Sequence, residues 1–147
     1  MDTRSTMKRL NELLVMVESS YLAIARKHDL SYNALMMLLM VESYETLTQK
    51  QVCDALYLPK SSVHTMLKDL IDRGYLFLTE GGNKKEKYIV PTEAGKAFIQ
   101  KVSGETETIE NGALKSISER DMSRFLKTAE ILADHMAAEA EIMYGRK

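Results

Sequence analysis

The chain has 147 residues, 45% of them apolar and 28% charged, with a net charge of −1. This is the make-up of an ordinary globular protein long enough for a single domain, 1–147, with its own core. No run of about 18 apolar residues exists to span a membrane, the basic start lacks the apolar stretch of a signal peptide, and one cysteine excludes an internal disulfide, so a cytoplasmic protein is expected.

The total charge says little about nucleic acid, but its distribution says more. Residues 48–101 hold nine Lys/Arg against six Asp/Glu, a net +3, whereas residues 102–147 hold six against nine, a net −3. A basic middle and an acidic end make a sided molecule whose middle suits phosphate.

The first helix is expected over 6–28, with Leu10, Leu13, Leu14, Val17, Tyr21 and Ile24 on one stripe. A second, over 32–42 with Ser31 as N-cap, is apolar almost all round and belongs at the centre of the domain. A short strand is expected at 45–47. Thr48-x-x-Gln51 fits a capping box opening a helix over 48–57, with Val52, Ala55 and Leu56 on its inner face. A break ending in Pro59 leads to a helix over 60–73, where Val63, Leu67, Leu70 and Ile71 repeat as a buried stripe. Ser61, Ser62, Thr65 and Lys68 fall on its other side, and Gly74 stands where a left-handed cap is wanted.

Strands at 76–79 and 87–90 around a Gly81-Gly82 tip then form a hairpin. Thr92 caps a helix running to about residue 116, which Gly104 and Gly112 weaken and could kink or end. Ser118-x-x-Asp121 opens the last helix, with Met122, Phe125, Leu126, Ala129, Leu132, Met136 and Met143 along it.

Two helices with a tight break, followed by a hairpin, make a winged helix-turn-helix over 31–91, which places one helix in a DNA major groove and the hairpin beside it. The fold class is thus mainly α with a small β-hairpin wing (α+β). The long helices at 6–28 and 93–144 exceed what a lobe of this size can cover, which points to a two-fold homodimer packed through them.

The candidate DNA contacts are Lys60, Ser61, Ser62, His64, Thr65 and Lys68 on the second helix of the motif, and Lys84, Lys85 and Lys87 on the wing. Hydroxyls and lysines there can meet phosphates or base edges; the plain alternative is capping and a solvated face. Met36 and Met40, with Tyr21 and Tyr32, could line a pocket for an apolar small-molecule effector; the alternative is gap-filling in a core. Cys53 reads as a buried, inert thiol. His28 and His135 lack partners at metal-ligand spacing, so no metal or other cofactor is expected. There is no glycine-rich phosphate loop, no G-x-S-x-G and no His–acid pair beside a nucleophile, so the chain does not read as an enzyme.

Leu30-Ser31, Leu38-Leu39, Leu47-Thr48, Val52-Cys53-Asp54-Ala55-Leu56, Lys60-Ser61-Ser62-Val63, Leu67, Leu70, Gly74-Tyr75-Leu76 and Pro91-Thr92-Glu93-Ala94-Gly95 occur in the order and spacing of a known family. With them the chain resembles the MarR-type transcriptional regulators over nearly its whole length. The resemblance implies an α-helical dimer that binds double-stranded DNA at a pseudo-palindromic site, most often as a repressor, and in many cases releases it when a small lipophilic or aromatic molecule binds.

Two departures weaken the DNA contacts this implies. The wing pattern Asp-x-Arg is replaced by Asn83 and Lys85, which loses an internal ion pair and the planar fork of arginine. No arginine stands near Thr65 for a bidentate guanine contact. A winged-helix protein-interaction module without specific DNA binding is the alternative reading.

Overall fold

The computed structural model describes residues 1–81 and 86–145. Among them the order is α1 (Thr3–Lys27), α2 (Tyr32–Ser43), α3 (Gln49–Leu56), α4 (Lys60–Asp72), β1 (Leu76–Glu80), β2 (Lys87–Pro91), α5 (Glu93–Leu114) and α6 (Glu119–Tyr144). The chain divides into two compact units, Met1–Glu107 and Thr108–Lys147, with the division inside α5.

Local chemistry sets the helix starts. The side chains of Asp2, Ser31, Thr48 and Ser118 each accept a backbone N–H at the start of α1, α2, α3 and α6. At Thr48 the reciprocal Gln51 bond is also present, so the expected capping box forms. Asp2 draws α1 three residues further toward the N-terminus than its apolar stripe suggests. Gly104 and Gly112 neither end nor shorten α5 before Leu114.

The core of the first unit surrounds α2. Leu35, Met37 and Leu38 are fully buried, and Val52, Val63, Leu67, Leu70, Leu76, Ile89, Ile99 and Val102 close around them from α3, α4, the hairpin and α5. Each such side chain contributes roughly 1.5–3 kcal/mol by leaving water. Two expectations need correction. Ala55 is exposed, because it is Val52, Cys53 and Leu56 of α3 that turn toward the core. Cys53 is half-buried against the core rather than enclosed.

The hairpin pairs Leu76 with Pro91 through Glu80 with Lys87 in antiparallel register. The strand expected at 45–47 does not form. Residue 48 makes one isolated bridge to Tyr88, and Ile89 donates its N–H to the Leu47 carbonyl at 2.8 Å. The segment is brief because the Thr48 cap starts α3 immediately, which ends the extended backbone.

The long helices are bare by comparison. Along α1 only Ile24 and Ala25 are buried; Leu14 is 50% and Val17 58% exposed. In the second unit α6 has no buried residue at all, and Phe125, Leu126, Ile131, Met136, Ile142 and Met143 stand in the open.

Candidate nucleic-acid interface

The two ends of α4 are built differently. Its N-cap is Pro59, which offers no side-chain hydrogen bond; Ser62 and Val63 donate back to the Pro59 carbonyl at 3.0 and 3.2 Å. The first amides of α4 therefore lack the side-chain partner that Asp2, Ser31, Thr48 and Ser118 supply elsewhere. A helix start of this kind carries the positive end of the macrodipole and suits an anion.

On one side of α4, Val63, Leu67 and Leu70 are buried. Lys60, Ser61, Ser62, His64, Thr65 and Lys68 are all exposed on the rest of it. Lys60, Lys68 and the exposed Lys87 have no carboxylate partner among the described residues, whereas Lys50 is tied to Asp54 at 2.7 Å and Lys96 to Glu93 at 3.0 Å. The pairing raises the Lys50 pKa, chiefly through its hydrogen bond to Asp54. A lysine without a carboxylate partner is free to neutralise phosphate. Thr65 donates its hydroxyl to the Ser61 carbonyl at 3.0 Å, which leaves an oxygen lone pair and the methyl group for any outside partner. Lys84 and Lys85 lie outside the described residues, and Lys87 opens β2 opposite Glu80.

The C-terminal end of α4 is fastened from several sides. Arg73, the sole arginine of residues 48–101, donates Nη1 to the Asp29 carbonyl at 2.9 Å and Nη2 to the His28 carbonyl at 3.2 Å. Its guanidinium carbon lies 5.5 Å from the centre of the Tyr75 ring, and Tyr75 stacks on Phe98 at 4.2 Å. Gly74 takes φ +81°, the left-handed cap expected of it. The Thr92 hydroxyl donates to the Gly74 carbonyl at 2.6 Å and accepts the Gly95 N–H at 2.9 Å. A Cβ at Gly95 would sit 1.9 Å from the Tyr75 carbonyl oxygen, so only glycine permits this approach of α5 to the wing.

Behind this end, the His28 Nε2 and a Glu105 carboxylate oxygen are 2.6 Å apart, and Lys27 reaches the other oxygen at 3.2 Å. The hydrogen bond to His28 and then the one to Lys27 hold the Glu105 pKa below the usual carboxylate value, against an opposing effect of burial.

A cleft of about 540 Å³ runs beside α4. Ser61, Ser62, Thr65 and Asp69 line one wall, Asp29, Ser31 and Asn33 another, and Leu58 and Met66 add apolar surface. Sequence spacing could not find it, because its walls are some 30 residues apart. Of the four residues expected around an effector, Tyr21 and Tyr32 meet edge to face at 6.4 Å, and Met36 and Met40 pack half-buried against the core. Burial, and then the Glu18 carboxylate, raise the Tyr32 pKa. The described residues include no group of three or more His, Cys, Asp or Glu able to hold a metal, and no described helix is long and apolar enough to cross a membrane.

Residues 28–85 match the sequence profile of the MarR family. The chain has the MarR-family winged helix-turn-helix fold. A MarR family regulator from Neisseria meningitidis superimposes with a TM-score of 0.81 at 20% identity, over 96% of this chain and 98% of that one. A putative MarR family transcriptional regulator from Listeria monocytogenes, complexed with a 26mer DNA, gives 0.77 at 18% identity, over 96% and 95%. A Staphylococcus aureus MarR in complex with salicylate and kanamycin gives 0.73 at 15% identity, over 94% and 96%. No curated protein matches the chain in sequence. In this lobe α3 and α4 are the helix-turn-helix and β1–β2 the wing.

Proposed function

We propose that this chain is a transcriptional regulator, a repressor, that binds a pseudo-palindromic DNA site as a homodimer and is not an enzyme. The observation that carries the reading is α4: a helix with a buried inner stripe, a fastened C-terminal end, and an exposed face of hydroxyls and unpaired lysines at its open end. The DNA complex of the Listeria monocytogenes relative supports it. Lys60, Lys68 and Lys87, with Lys84 and Lys85 of the wing, contact phosphates; Ser61, Ser62, His64 and Thr65 meet base edges or backbone.

With its donor turned inward, Thr65 reads through its methyl, which suits contact with a thymine methyl. The bare faces of α1 and α6 are where a second copy packs. On a pseudo-palindromic site the two reading helices of such a dimer would meet half-sites about 34–36 Å apart, one DNA turn. A small lipophilic effector would bind near Tyr21, Tyr32, Met36 and Met40; the salicylate and kanamycin complex of the Staphylococcus aureus relative supports small-molecule binding in this fold.

The test is a salt titration on duplexes enriched by the protein from a random-sequence pool. Lys60→Ala should weaken binding to every duplex and reduce the slope of log K against log salt by about 0.9, one phosphate contact. Thr65→Ala should cost roughly 1 kcal/mol, the loss of one methyl contact, on the enriched duplex alone. One observation favours the second reading, a protein-interaction module: Arg73, the sole arginine of the motif and wing, is turned inward to main-chain carbonyls. Failure of the pool to enrich any sequence would select that reading.

A further inference from the structure

The same inward arginine carries an inference that rests on the DNA-reading proposal. Arg73 is the C-cap of α4, with its side chain 27% exposed. Its two terminal nitrogens bind the carbonyls of consecutive residues, His28 at 3.2 Å and Asp29 at 2.9 Å. Those carbonyls belong to the end of α1, where His28 is the C-cap and Asp29 turns the chain at φ +55°. The last carbonyls of a helix have no partner within it. Arg73 satisfies one of them, that of His28, and the Asp29 carbonyl just beyond the helix, across 45 and 44 residues.

The planar fork matters here. Guanidinium holds its donors in one plane and can engage two adjacent carbonyls at once, whereas a lysine ammonium is a point charge on a flexible stem. The guanidinium carbon lies over the Tyr75 ring at 5.5 Å, Phe98 stacks on Tyr75, and the His28 and Phe98 rings meet edge to face at 5.8 Å. The ion pair to Asp69 is longer, 3.7 Å, and the Asp69 side chain is 66% exposed, so it adds little.

Position makes the fork consequential. Ser61 lies 12 residues from Arg73, about 18 Å along the helix axis. A tilt of about 4° at the Arg73 end would carry Ser61 roughly 1 Å sideways, by the same helix geometry. Groups that must meet a partner need placing to within about 0.5 Å.

We propose that Arg73 is the positioning residue of the reading helix: its guanidinium, bonded to the His28 and Asp29 carbonyls, sets the attitude of α4 and so the sequence discrimination of the protein, without touching DNA. This converts the one arginine of the motif from a missing base contact into the anchor of those that remain.

Fluorescence anisotropy on the full chain tests it. Two probes are used across a salt series: a duplex enriched by wild-type protein from a random pool, and a scrambled duplex of the same composition. Arg73→Lys keeps the charge and loses the fork. It should weaken binding to the enriched duplex about tenfold or more and leave the scrambled duplex within about twofold. Arg73→Gln removes the charge and should do the same while keeping the wild-type salt slope, since no phosphate partner is lost; a phosphate contact would lower that slope by about 0.9.

Equal weakening on both duplexes, or a reduced slope for Arg73→Gln, would overturn the positioning role, as would wild-type discrimination in Arg73→Lys. If wild-type protein enriches no sequence, the DNA-reading proposal itself fails first, which is a separate result from an Arg73 variant that discriminates normally.

Discussion

The reading lobe and the long helices solve the same problem with different completeness. In the lobe, α2 is enclosed: Leu35, Met37 and Leu38 are fully buried, and α3, α4, the hairpin and the start of α5 close round it. Along most of α1 and all of α6, comparable side chains remain in the open, with Leu14 50% and Leu126 59% exposed. Both regions have helical apolar stripes, so periodicity does not distinguish them. What differs is whether the chain itself supplies a covering surface. The lobe encloses its core with its own elements, whereas the helices' apolar faces lie open in the single chain; we take a second copy to cover them.

The largest effect that separates the two regions is on assembly. Phe125→Glu puts a charge on the bare face of α6. It should abolish the dimer in sedimentation velocity at micromolar protein while leaving the lobe folded. A monomeric wild type would remove the reason for the comparison. Next comes the core. Leu38→Ala should cost about 2–5 kcal/mol in chemical denaturation, because it empties a fully enclosed site. In a Phe125→Glu background that cost should persist unchanged, and a cost that vanished there would mean the lobe depends on the dimer.

The smallest effect is the acid dependence of the Glu105 contacts with His28 and Lys27 that join α5 to the end of α1. The Glu105 pKa is lowered in the folded chain, so its contribution is present above the ordinary glutamate value near 4.3 and is lost as pH falls through the depressed one. Glu105→Gln should therefore be less stable than wild type at pH 7, with the gap closing as pH drops below about 4. A gap independent of pH would assign the loss to packing instead.

Much of the lobe was legible in the sequence, for reasons that are local. The Thr48–Gln51 box, the Val63–Leu67–Leu70 stripe and the Gly74 cap each depend on residues within about four positions of one another. The parts that were not legible depend on distant main chain. Arg73 looks in sequence like one more basic residue, because its partners are carbonyls 44 and 45 positions away, which no side-chain pattern advertises. Gly95 stands in the sequence only as the last residue of the Pro91–Gly95 stretch, and the Tyr75 carbonyl reveals why no Cβ fits there.

No third strand forms at 45–47, because the cap at Thr48 ends the extended segment after one bridge. Of the candidate interface, the α4 face was visible from its spacing, whereas the cleft beside it needed Asp29, Ser31 and Asn33 to be brought against Ser61, Ser62 and Thr65.

The central claim is that the open end of α4 reads DNA and that the bare helices pair two such ends on one site. Native mass spectrometry of the protein with a duplex enriched from a random pool tests both halves at once. The account predicts a dominant species of two chains on one duplex, with no comparable species on a scrambled duplex. A single chain per duplex, or the same occupancy on both duplexes, would contradict it.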